Sequence, residues 1–112
     1  MFSVKPGVSI LGIQAPLVLG LMVAKQAFED QGYDCVLTSC TDGTHKADSL
    51  HYVGLAADLR TKHLPLGPKA RVLAQLRDRL SPLGFEVLYE GAETPQEHVH
   101  LEYDPTHGRS GA

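Results

Sequence analysis

The sequence predicts an α+β domain: a small antiparallel sheet with two main helices on one side. Two stretches repeat apolar residues at helical spacing, and four short runs rich in β-branched and aromatic residues lie between glycine- and proline-marked turns. The connections are short, so helices and strands must share one core. With 112 residues, the chain suits a single domain, residues 1–112, large enough to bury a core without a disulfide staple.

Residues 1–13 read as an irregular lead-in broken by Pro6, Gly7 and Gly12. Pro16 suits the first turn of a helix, and Leu17, Leu21, Ala24 and Phe28 then form one apolar stripe, weakened slightly by Gly20 and stopped at Gly32. Residues 33–39 form a short strand. Residues 40–50 are polar and read as a long loop, the kind of segment that often carries function. Residues 54–61 predict a second strand, whose small Ala56 and Ala57 allow close packing. After a Pro/Gly-rich connection, Pro68 opens a second helix with Val72, Leu73, Leu76 and Leu80 on one face. Pro82 and Gly84 end it. Residues 85–89 and 98–103 complete the sheet, and a Gly/Ser-rich tail from about residue 105 reads as frayed.

Composition narrows the function classes. Net charge is −3 with Lys and Arg scattered, so no basic face recommends nucleic acid as partner. Trp is absent and aromatics are 6%, which leaves no platform for stacking bases. No run approaches the ~20 apolar residues of a membrane span. The apolar residues 15–24 lack the basic flank and cleavage site of an export signal, so a cytoplasmic chain is expected. Cys35 and Cys40 are not spaced as CxxC and read as reduced thiols near a strand end.

The chemistry-bearing residues fall in two clusters, residues 49–58 and 97–100. His51 and Asp58 are seven apart, so an unbroken strand would point them to opposite faces; a bend at Gly54 lets both face one point. His98 and His100 share a strand face, and either can be a ligand with the other close by. Imidazole and carboxylate are ordinary zinc donors, and three of them plus a water make a catalytic site where four would make a structural one. A base for that water is also needed, and Glu97 and Glu90 are the candidates. His63 and His107 read as surface residues.

The stretch SLHYVGLAAD resembles the Ser-x-His-x-x-Gly-x-Ala-x-Asp signature of the zinc D-Ala-D-Ala carboxypeptidase and L-alanyl-D-glutamate endopeptidase family, through Ser49, His51, Gly54, Ala56 and Asp58. Glu97-His98-Val99-His100 resembles the family's second motif, an acidic residue three before a histidine. The stretch from Thr41 to Thr61 is also similar to the Hedgehog signalling domain, which shares that zinc fold; this likeness includes His45 and the closing His-x-His. Together the likenesses span residues 38–103.

The resemblance implies a single zinc ion held by His51, Asp58 and His100, with Glu97 as catalytic base and His98 beside the metal stabilising the oxyanion. The Hedgehog likeness would shift the glutamate nearer Glu90, and it leaves His45 and Ser49 as auxiliary candidates. A regular strand turns Glu97 and His100 to opposite faces, so Glu97 serves only from the preceding loop or a bulge. The implied activity is hydrolysis of peptidoglycan stem-peptide bonds involving D-amino acids, by a monomeric phage or prophage lysis enzyme that waits in the cytoplasm or rides on the virion. The alternative is a Hedgehog-like zinc module without peptidase activity. One departure concerns the substrate. The family's anchoring Arg lies upstream of the first histidine, where this chain reads Thr38-Ser39-Cys40-Thr41-Asp42; Lys46 and Arg60 are the substitutes in reach of the sequence.

Overall fold

The structure, a computed structural model, describes residues 1–43 and 49–105. His45, Lys46, His107 and the tail expected to fray lie outside the described residues, apart from Pro105 at its start. The elements run β1 (Phe2–Val4), α1 (Ala15–Asp30), β2 (Cys35–Ser39), β3 (Ala56–Arg60), α2 (Leu66–Leu80), a 3-10 turn (Ser81–Leu83), β4 (Phe85–Glu90) and β5 (His98–Tyr103). They form one five-stranded sheet of order β1-β2-β3-β5-β4.

The α+β class stands, but the sheet is mixed. β1 pairs with β2 in parallel, whereas β2–β3, β3–β5 and β4–β5 are antiparallel. The sequence reading left residues 1–13 irregular and so missed β1. Three residues are too few to show a period, and Pro6 and Gly7 follow at once. The parallel sense has a topological cause: the chain returns from β1 to β2 through α1, a crossover long enough to bring two strands alongside in the same direction.

Both helices lie where their apolar spacing required. Leu17, Leu21, Ala24 and Phe28 of α1 and Val72, Leu73, Leu76 and Leu80 of α2 are buried together against Leu37, Leu59, Val99 and Leu101 of the sheet. Each such leucine, valine or phenylalanine contributes about 1.5–3 kcal/mol by leaving water. Gly20 has a packing reason to sit within α1: a Cβ there would run into the Phe85 ring at 2.6 Å, so its absence lets the helix approach β4. α1 ends before Gly32, which takes φ +83°. α2 begins at Leu66, two residues before the proline expected to open it; Pro68 is tolerated within the first turn, where no N–H has an intrahelical acceptor.

Because strand side chains alternate, the face opposite the helices collects the other set. Thr38, Asp58, Arg60, His98, His100 and Glu102 are among its half-buried members. Asp58, His98 and His100 therefore line the helix-free face of the sheet. No helix among the described residues is long and apolar enough to cross a membrane.

Candidate metal centre

Backbone pairing brings the first two donors together. Asp58 on β3 lies directly across from His100 on β5, and Arg60 across from His98. Asp58 Oδ1 lies 2.8 Å from His100 Nδ1. His51 reaches the same oxygen, its Nε2 lying 3.6 Å from it.

His51 is delivered by a tight turn rather than by a strand. Its N–H donates to Ser49 Oγ at 3.2 Å, and Gly54 N–H donates back to His51 carbonyl at 3.2 Å. Gly54 takes φ +76° against the backbone of Gly12 and Ile13, and its carbonyl accepts from Gln14 N–H at 3.0 Å. The expected bend at Gly54 is present, and only glycine fits it.

The His51 ring is oriented from behind. Its Nδ1 lies 2.7 Å from the Cys40 carbonyl, which can only accept, so Nδ1 donates there and Nε2 faces Asp58. The Cys40 loop is itself tied down, as Asp42 Oδ1 accepts from Cys40 N–H at 2.9 Å and from Ser9 N–H at 3.2 Å. Burial, with the Asp42 charge adding to it, pushes the Cys40 thiol up to about 11, so the residue serves the site through its carbonyl and not as a thiolate.

His100 is held from both sides. Its Nε2 lies 2.8 Å from Glu102 Oε1, opposite the Asp58 contact on Nδ1. Burial alone would depress this imidazole, but the hydrogen bonds to Asp58 and Glu102 outweigh it and raise it to about 9. Asp58 shows the converse. Burial favours its neutral form, and the hydrogen bonds from His100 and His51 override that and hold it well below the usual carboxylate range.

One ligand atom from each of His51, Asp58 and His100 lies within 4.8 Å of the others, a group that can hold a metal ion. Tetrahedral bonds of ~2.0–2.1 Å place ligand atoms roughly 3.3 Å apart, and the 2.8 and 3.6 Å contacts bracket that value. The donor chemistry fits a divalent cation. Two imidazoles and an ionised carboxylate converge, and each imidazole has its second nitrogen on an oxygen acceptor, as metal-bound histidines do.

The remaining candidates separate. His98 stands next to the three donors, its Nε2 3.8 Å from Asp58 Oδ1 and 3.0 Å from Glu90 Oε1, with Nδ1 on the Gln96 carbonyl at 2.6 Å. Glu90 lines the same cavity, of about 640 Å³. Glu97 does not. Its Oε1 accepts from Thr61 Oγ1 at 2.9 Å and Tyr89 OH at 2.8 Å and pairs with Lys69 Nζ of α2 at 2.5 Å. Glu97, expected as the base, is thus engaged outside the cavity that holds the three donors. Residue 97 precedes β5 in the same alternation as Val99 and Leu101, so its side chain turns to the helix side of the sheet. His63 is half-buried, stacked on Phe28 with its Nε2 on the Asp34 carbonyl, rather than a plain surface residue.

The sequence reading missed two contributors. Glu102 was legible, since it follows His100 by two and must share its face. The Cys40 carbonyl was not, because a backbone acceptor leaves no mark in the residue type.

No family model, no curated protein and no solved structure matches the chain. Fold and site define a small α+β protein with a His-Asp-His group able to hold a metal ion on the open face of its sheet.

Proposed function

We propose that the chain is a zinc-dependent peptidase that hydrolyses peptidoglycan stem-peptide bonds involving D-amino acids, in the service of phage or prophage wall lysis. The observation that carries this reading is the three-donor group on an open sheet face with the Glu90–His98 pair beside it. Two histidines and one carboxylate suit zinc, and three protein donors leave a coordination position for chemistry. The two motifs, in order and around the same three donors, supply the substrate class.

Zinc, when bound, supplies a Lewis acid that polarises the scissile carbonyl and lowers the pKa of a water. Glu90 takes a proton from the attacking water and passes it to the leaving nitrogen. Water oxygen bonds to the carbonyl carbon, the C–N bond breaks, and the products are a carboxylate and an amine. His98, which donates from Nδ1 to the Gln96 carbonyl, stabilises the oxygen on which negative charge develops when a second proton sits on Nε2. Asp58, ionised throughout, offsets the charge of the cation.

One observation favours a second reading, a zinc-binding module without turnover: the acidic residue of the second motif, Glu97, is engaged by Lys69, Tyr89 and Thr61. A single experiment separates the two. Zinc-loaded protein is incubated with purified cell wall and newly freed amines are assayed. Release that stops on chelation and returns with zinc is the expected result. Stoichiometric zinc with no release from any wall preparation would leave the module reading in its place.

A further inference from the structure

The two edges of the sheet differ in character. β4, at one end, carries Glu86 and Glu90, charges of the kind that keep an edge unpaired. β1, at the other end, reads Phe-Ser-Val and carries none. Cys35 N–H donates to the Met1 carbonyl and Lys5 N–H to the Leu37 carbonyl, each at 2.9 Å. Peptide groups alternate in direction along a strand, so residues 1, 3 and 5 bond to β2. The N–H and C=O groups of Phe2 and Val4 therefore point outward, unmatched among the described residues.

An apolar cavity of about 290 Å³ lies beside that edge, between β1 and α1, lined by Phe2, Val4, Ile10, Val18 and Met22 among others. It sits on the helix side of the sheet, away from the metal donors. Met22 is 63% exposed, and Val4, Ile10 and Val18 are exposed by 42–48%. The charge at its rim, Lys25, is neutralised by Glu29 at 2.9 Å.

We propose that this edge is a homodimer interface, in which β1 pairs antiparallel with β1 of a second copy about a twofold axis at Ser3. The occupant is a second copy because the edge is complementary to itself. With Ser3 on the axis, Phe2 lies opposite the partner's Val4, outward groups meet outward groups, and four backbone hydrogen bonds close the seam. Phe2 then packs on the partner's Val4 on the helix side, where α1 and its counterpart bring their exposed apolar residues over the joint. Pro6, which has no N–H, stops the ladder and removes longer registers. The apolar residues offer several hundred Å² per copy, the scale of patches that mark contact sites. The paired strands bring that toward the ~800 Å² per partner of a stable interface. The dimer replaces the monomer that the resemblance implies, and it owes nothing to the peptidase reading. It also joins the sheets into one of ten strands, with both donor groups on the same face. β3 and its counterpart are then five strand spacings apart, roughly 24 Å at ~4.8 Å each.

The test is sedimentation equilibrium of the full chain over a concentration series up to about 500 µM, without zinc or substrate, so that its outcome is independent of any peptidase activity. Wild type is expected to reach the mass of two chains. Val4→Pro removes an outward N–H from each copy without touching the β1–β2 ladder, and it should raise the dimer Kd by roughly 10- to 100-fold, the worth of two hydrogen bonds. Met22→Lys, on an exposed side chain, should weaken the dimer with unchanged melting, and it decides the same point should Val4→Pro unfold. Ser3→Cys supplies the register. Two Cα atoms opposed on the axis lie ~4.5 Å apart, within disulfide reach, so an intermolecular bridge should form on mild oxidation far faster than in the exposed Ser81→Cys. Cys35 and Cys40 are buried and do not compete. A wild-type protein that stays monomeric to 500 µM overturns the proposal. So does a dimer that Val4→Pro and Met22→Lys leave intact, or a Ser3→Cys protein that bridges no faster than Ser81→Cys.

Discussion

His100 Nδ1 and Asp58 Oδ1 face each other at 2.8 Å across the β3–β5 ladder, where their backbones are register partners. The contact that seats the proton of His100 in the metal-free protein is also the one a cation must enter. With His100 raised to about 9, the imidazolium predominates at neutral pH.

Metal uptake therefore expels a proton. Apparent zinc affinity is expected to rise about tenfold per pH unit between pH 6 and 8. Calorimetric titration in buffers of different ionisation enthalpy should read about one proton released at pH 7. An affinity flat across that range contradicts the assignment of His100 as a ligand.

The chelated protein should show the same pair in its stability. Asp58 has a lowered pKa, so its contribution is present above the unfolded value of ~3.9 and fades as pH falls through the folded one. His100 has a raised pKa, so its contribution is full below ~6.5 and fades as pH rises toward 9. Wild type should exceed Asp58→Asn by about 1–3 kcal/mol between roughly pH 4 and 6.5, with the gap narrowing on either side. Urea titrations of both proteins with chelator present provide the comparison.

Glu90→Gln should lower kcat on cell wall by about 10²- to 10⁴-fold with zinc retained, the usual worth of a general base. Glu97→Gln should retain turnover once its stability is allowed for. A dead Glu97→Gln that binds zinc and melts like wild type would return the role to Glu97.

Lys69→Met removes the cation from a buried carboxylate. Burial favours neutral Glu97, and the hydrogen bonds from Lys69, Tyr89 and Thr61 are what lower its pKa. A loss of about 2–4 kcal/mol at pH 7 is expected. It should shrink as pH falls below ~4.3 and the carboxyl protonates. Zinc stoichiometry should not change.

Gly54→Ala should cost both fold and site. A Cβ there meets the Gly12 carbonyl and the residue keeps φ +76°, so a loss of about 2–4 kcal/mol is expected. Thermal melts should show it, along with weaker zinc binding as the turn carrying His51 shifts. Unchanged melting and affinity would mean that the turn tolerates an L-residue.

The legible parts of this protein were those written in a local period. The α1 and α2 stripes, the β5 boundaries and the shared face of His98, His100 and Glu102 follow from side-chain spacing of 3.6 or 2. The three-residue β1 carries no period and was missed. The carboxylate at Glu97 matched a motif by spacing, yet alternation turned it to the side where Lys69 waits on α2, and a one-dimensional match does not register that.

Residue order by itself determined the donor types, the glycine that bends His51 toward Asp58, and the faces on which each strand residue stands, because these depend on dihedral preference and on neighbours a few positions away. Tertiary structure alone decided that Asp58 and His100, 42 positions apart, share an oxygen–nitrogen contact, that the Cys40 carbonyl holds Nδ1 of His51, and that Glu90 rather than Glu97 lines the cavity. The physical reason is strand pairing: hydrogen-bond register between β3, β5 and β4 sets which distant side chains meet, and register depends on the whole sheet and the core beneath it.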